Sequence, residues 1–124
     1  MNENDKCSCN ATSKLIFVCS GSSDVGAIAD QAARKLTKEG KGKMYCLAGI
    51  GGRVPGMMAT TKSADRILVI DACPIECASK TMEQAGFKNY IHLQLKKIGL
   101  EKGKSPVTPE NIVKVAQEAA LLLA

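Results

Sequence analysis

The chain has no tryptophan, and only two tyrosines and two phenylalanines among 124 residues. A core built on aromatic rings is excluded, so the interior must be aliphatic. The same scarcity counts against binding nucleic acid without sequence preference, which stacks bases on aromatic faces. No apolar run approaches the roughly 20 residues needed to span a bilayer; the tail Ala119-Ala120-Leu121-Leu122-Leu123-Ala124 is far too short. The opening MNENDKCSCNATSK is polar and lacks the apolar stretch of a secretory signal. A cytoplasmic location is therefore expected, and the sequon Asn10-Ala11-Thr12 carries no weight. Charge of one sign is not strong either: 17 basic and 12 acidic residues give +5, with one loose cluster at Lys96, Lys97, Lys102 and Lys104. That pattern reads as a solvated surface. Neither nucleic acid nor membrane is expected as a partner, no protein partner is indicated, and the chain is expected to be a monomer or a weak homodimer.

What remains is an ordinary globular composition, 45% apolar, in a length that fits one domain. Such a chain buries a core without disulfide staples. Its six cysteines, in a compartment that keeps thiols reduced, read as metal or redox ligands rather than as a disulfide framework.

Along the chain, residues 1–14 form a polar, aperiodic lead-in, expected to be flexible, and residues 15–124 a single α/β domain. Leu15-Ile16-Phe17-Val18 is a continuous apolar run, as in a strand covered on both faces. It stops at Cys19-Ser20-Gly21-Ser22-Ser23-Asp24, a series of turn and cap residues. Val25 to Lys38 has helical periodicity, with Gly40 placed to end it. Lys43 to Leu47 reads as a second strand, Ala48 to Gly56 as a glycine-rich loop, and Met57 to Ser63 as a short helix. Arg66 to Asp71 is a third apolar strand. Pro74 suits a first helical turn, so a helix is predicted from about Pro74 to Ala85, with Cys73 as its N-cap. Tyr90 to Leu95 alternates as a fourth strand, and Thr108-Pro109-Glu110 opens a last helix. Strand–helix alternation predicts a three-layer αβα, doubly wound, mostly parallel four-stranded sheet of flavodoxin-like or Rossmann-like type, in the order 2-1-3-4.

On that arrangement Cys19, Cys46, Cys73 and Cys77 share one address, the carboxyl ends of parallel strands, where ligands of open α/β sheets bind. Adjacent strands lie about 4.8 Å apart, and sulfurs bonded to one zinc at about 2.3 Å lie within about 4 Å of one another. Side chains from neighbouring strand ends meet that requirement. Helix starts after Cys19 and Cys73 would favour thiolate. Three readings stand open: a shared metal site, a redox thiol site without metal, and four unrelated buried cysteines, a residue type that often simply packs. Cys7 and Cys9 read as incidental exposed thiols. Asp71 could bond near the sulfurs or cap the turn. Arg53 could grip an anion or be solvated. His92, the one histidine, reads as a satisfied sheet residue before a ligand, and Met57 and Met58 as packing against the sheet. The glycines at 49, 51 and 52 make neither a dinucleotide fingerprint nor a Walker loop.

Cys19-Ser20-Gly21, Val25-Gly26, Cys46-Leu47-Ala48-Gly49-Ile50-Gly51-Gly52, Pro55-Gly56, and Asp71-Ala72-Cys73-Pro74 with Cys77 together resemble the DGC-domain family of zinc-binding proteins. The likeness covers about residues 15 to 105. Ala72 stands where the glycine of the family's name would be. The resemblance implies zinc as the cofactor, Cys19, Cys46, Cys73 and Cys77 as its ligands, and no defined activity. An iron–sulfur cluster on the same ligands is the lesser alternative. A thiol-redox or sulfur-transfer enzyme using low-pKa cysteines at helix starts is the competing function, weakened because Cys73 and Cys77 are spaced i, i+4 rather than CxxC. Phe17-Val18-Cys19-Ser20-Gly21 also resembles, in outline, the phosphate loop of low-molecular-weight phosphatases. Val25 and Gly26 stand where that chemistry needs an arginine.

Overall fold

Alternate residues of the strands point to opposite faces, and in this chain both faces are greasy. In the computed structural model, which describes residues 13–124, β1 (Lys14–Val18) and β3 (Arg66–Asp71) are the two central strands of a four-stranded sheet. Strands β2 (Lys43–Met44) and β4 (Ile91–Gln94) flank them, giving the order β2-β1-β3-β4, parallel throughout. Val18 pairs with Ile70 and Asp71 with Gln94, so the carboxyl ends form one edge. This is the expected order and class. Strand β1 starts at Lys14, one residue before the expected Leu15. Cys7 and Cys9 lie outside the described residues.

Ile16, Val18, Leu68 and Ile70 face one helix layer, α1 (Asp24–Lys38) and α5 (Pro109–Leu123), through Ile28, Leu36, Val115 and Leu123. Leu15, Phe17 and Val69 face the other, through Ile50 of α2 (Leu47–Gly51) and Ala78 and Met82 of α4 (Cys77–Gln84). Met57 and Met58 of α3 (Pro55–Lys62) pack against this second core as expected. Sheet and two helix layers give the three-layer architecture. No helix among the described residues is long and apolar enough to cross a membrane.

Local chemistry sets the helix ends. Ser23 caps α1, its Oγ accepting from the Gly26 N–H at 3.0 Å, and Asp24 follows in the first turn. At the other end Gly40 adopts φ +75° and the Lys41 N–H reaches back to the Leu36 carbonyl at 3.0 Å, a glycine-terminated helix end. Thr108 and Pro109 open α5 as predicted, with Thr108 Oγ accepting from Asn111.

Three larger differences from expectation lie at the carboxyl edge. Strand β2 ends at Met44, because Cys46 turns out of the sheet to cap a helix. The glycine-rich stretch is helical from Leu47 to Gly51. Most consequentially, α4 starts at Cys77, not Pro74, and Cys73 is not its cap. The residue before the helix is Glu76, in the left-handed region at φ 59°, ψ 46°.

Candidate thiol site

Each of the four cysteines leaves the sheet edge by a different local device. Cys19 follows β1 and is still tied to β3, its N–H donating to the Ile70 carbonyl at 3.3 Å. Its Sγ accepts from the Ala72 N–H at 3.1 Å, across the gap between the two central strands. The thiol therefore faces the end of β3 rather than the start of α1. Burial pushes the Cys19 thiol above its ordinary pKa, the Ala72 N–H opposes that, and the charges of Asp71, Cys73 and Cys77 push it up further. For Cys19 the direction is therefore opposite to the expected thiolate, with burial as the leading cause.

Cys46 is exposed and is the N-cap of α2, its Sγ accepting from the Gly49 N–H at 3.4 Å. Met57 packs directly on Gly49: a Cβ there would meet the Met57 thioether, which would have to move aside. That close approach packs α3 against α2 and explains a glycine inside a helix. Cys73 is partly buried in the turn after β3, its carbonyl accepting from the Glu76 N–H at 3.1 Å. Cys77 is exposed at the first position of α4.

Asp71 organises this edge. It is fully buried, yet four donors reach it: the N–H groups of Ala78 at 2.8 Å and Ser79 at 3.2 Å, the Ser79 hydroxyl, and His92 Nε2 at 2.8 Å. It thus caps α4 from a distance, supplying the acceptor that Cys73 was expected to supply. His92 is accordingly a bonded sheet residue. A second tie from β4 reaches the same turn: Gln94 Nε2 donates to Glu76 Oε2 at 2.6 Å. The Arg53 guanidinium donates to the carbonyls of Ile50, Gly51 and Gln84 and ties α2 to the end of α4.

An open groove of about 720 Å³ lies beside Cys46, lined also by Ser20, Arg34, Tyr45 and Thr81. Arg34 there is ion-paired to Asp30 at 2.7 Å. A larger hollow of about 1080 Å³ sits at the opposite edge, among Lys14, Lys41 and Leu121, remote from the thiols.

The donor set is that of a soft metal ion: four free thiols at one edge of the sheet. The arrangement is another matter. Among the described residues no three of His, Cys, Asp or Glu stand together so as to hold an ion. Two of the sulfurs, those of Cys19 and Cys46, are instead occupied with main-chain N–H groups.

The model of the DGC domain matches residues 15–119, which includes all four cysteines. The chain belongs to the DGC-domain family. As a DGC protein it is also 34% identical, over 88 residues, to the "Anaerobic and virulence modulator AnvM" of Pseudomonas aeruginosa; the match covers 71% of this chain and 67% of AnvM. No solved structure matches it.

Proposed function

We propose that this DGC protein is a zinc-binding thiolate domain, with Cys19, Cys46, Cys73 and Cys77 as ligands at the carboxyl edge of its sheet. The observation that carries the reading is that all four free thiols lie at this one edge: Cys19 after β1 with its sulfur on the Ala72 N–H at the end of β3, Cys73 in the turn that follows, Cys77 opening α4, and Cys46 capping α2 after the neighbouring strand β2. Four thiolates leave no open position on zinc, so a binding or regulatory role is favoured over hydrolysis. The related AnvM is named as a modulator, and we extend a modulating role to this chain. The four described cysteines are unpaired, which suits a cytoplasmic setting. The low-pKa redox alternative loses part of its motive, since Cys19 is shifted toward the protonated thiol.

The test is metal analysis of protein purified under reducing conditions without added metal, joined to X-ray absorption at the zinc edge. About one equivalent of zinc with an all-sulfur shell is expected. Less than half an equivalent of any metal refutes the reading, and a brown protein with sulfur-bound iron replaces zinc with a cluster.

A further inference from the structure

The hollow of about 1080 Å³ at the amino edge of the sheet is framed by elements that close the core beneath it without filling it. Leu15, at the start of β1, and Leu123, in the last turn of α5, are buried and border it. The connection from α1 to β2 runs tight against the same core. A Cβ on Gly42 would lie 2.9 Å from Ile16 Cδ1 and 3.1 Å from Leu123 Cδ1, and a Cβ on Gly40 would have nothing within 4 Å. These two glycines leave the wall without apolar side chains to fill the space. Leu121 also lines it and is 73% exposed, the most exposed large hydrophobic residue among those described. A concave space with aliphatic walls and a few polar groups, at the upper end of the roughly 300–1,000 Å³ usual for ligand pockets, is a candidate binding site. The charged groups here are of one sign. Lys14, Lys41 and Lys43 line the hollow, and none of the described residues lining it has a carboxylate side chain. The Ala124 main-chain oxygen at its rim is engaged by Arg66 at 2.8 Å. Lys41 and Lys43 have weak partners, Glu39 at 3.7 Å and the Tyr45 ring centre at 5.9 Å, which an anion can displace at little cost.

We propose that this hollow binds a free fatty-acid anion, the alkyl chain lying against Leu15, Leu121 and Leu123 and the carboxylate among Lys14, Lys41 and Lys43. A fatty acid meets both features at once: its methylenes leave water for leucine side chains, and its carboxylate supplies the sign that the lining lacks. A bilayer is the poorer occupant, since a flat surface leaves a concave space unfilled. A second copy of the chain is poorer too. A two-fold contact sets one patch against itself, so three lysines would face three lysines. The site lies at the other end of the strands from the cysteines and makes no use of them.

The probe is dodecanoate, titrated below its micelle concentration into the full chain and followed by NMR of labelled leucine methyl groups. Leu15, Leu121 and Leu123 should shift along a saturating curve with Kd on the order of 0.1 mM, while Leu47 and Leu93, towards the carboxyl edge, stay still. Butanoate, which lacks most of the chain, and dodecyltrimethylammonium, which reverses the charge, should each bind at least about tenfold more weakly. Leu121→Asp places a carboxylate at an exposed position where the fold does not depend on leucine, and should weaken dodecanoate by roughly tenfold. Lys41→Gln combined with Lys43→Gln should weaken it by roughly fivefold. The absence of a saturable shift overturns the site, as do shifts centred on Leu47 and Leu93. Equal affinity for the cationic analogue removes the lysines from recognition and overturns the assignment of an anion. Unchanged affinity in Leu121→Asp overturns the placement of the chain. Two further outcomes replace the fatty acid with another occupant: binding to phosphatidylglycerol vesicles without binding to free dodecanoate, and dimerisation by sedimentation that Leu121→Asp abolishes.

Discussion

Removing the Asp71 carboxylate is the sharpest perturbation of this edge, because one buried group there serves four donors. In Asp71→Ala the Ala78 and Ser79 N–H groups lose their cap, a loss of about 1–2 kcal/mol by analogy with N-cap removal. The hydroxyl of Ser79, a residue 5% exposed, is left without its acceptor at a further 1–3 kcal/mol or so. His92 is partly exposed and turns to water at little cost. Against these losses stands relief from desolvating a fully buried carboxylate, which reduces the net effect. The balance is about 3 kcal/mol, a large part of the roughly 5–15 kcal/mol that holds a domain together. Without tryptophan the assay is urea unfolding followed by circular dichroism. At a slope of about 2 kcal/mol/M the midpoint should fall by about 1.5 M. Asp71→Asn, which retains one acceptor oxygen, should lose about half as much. A fall of less than about 0.5 M for the alanine variant would refute the claim that Asp71 anchors α4, as would a larger loss for asparagine than for alanine.

Two further outcomes follow from the same geometry. At pH 8 Cys19 should alkylate at least about tenfold more slowly than Cys46, since it is partly buried and holds its proton more tightly while Cys46 is exposed; residue-resolved mass spectrometry reads the order directly, and Cys19 reacting first would contradict it. Asp24 accepts the N–H groups of Gly103, Val25 and Ser105, and the Gly103 bond leads in holding its carboxyl below the ordinary 3.8. A depressed carboxyl stabilises the fold above the unfolded pKa and loses that contribution as pH falls through the folded value. Asp24→Asn should therefore show a smaller loss of urea midpoint between pH 7 and pH 2.5 than native protein; equal losses would remove Asp24 from the acid response.

The sheet was legible in the sequence because its signals are local and strong. Leu15 to Val18 and Arg66 to Asp71 are apolar on both faces, which only central parallel strands require. Ser23, Gly40, Thr108 and Pro109 mark helix ends by chemistry confined to one turn. The site edge was less legible because its determinants are not local. Pro74 is compatible with a first helical turn, but the acceptor that starts α4 comes from Asp71, seven residues before Ala78, and the turn is held by Gln94 and His92 from another strand. The helix at Leu47–Gly51 carries two glycines, each unfavourable by about 1 kcal/mol in a helix. Burial of Ile50 and the seat of Met57 on Gly49 override that preference. The DGC motifs located the four cysteines, yet nothing in their spacing tells that Cys19 faces Ala72 or that Cys46 caps α2.

The four thiols divide by how firmly the fold holds them, and this bears on what such a site can do. Cys19 is fixed between the two central strands by a main-chain bond to Ile70 and a sulfur contact to Ala72, so its position is set by the most buried part of the sheet. Cys46 and Cys77 stand at the starts of short helices, and Cys73 in a turn containing a left-handed glutamate. Helix ends and turns open at far lower free energy than core strands. Three thiols can therefore shift relative to the fourth while both hydrophobic layers stay packed beneath them. A rigid anchor with adaptable neighbours is what a site needs if its occupancy is to vary without the domain unfolding, whereas a purely structural staple would gain most from the opposite design.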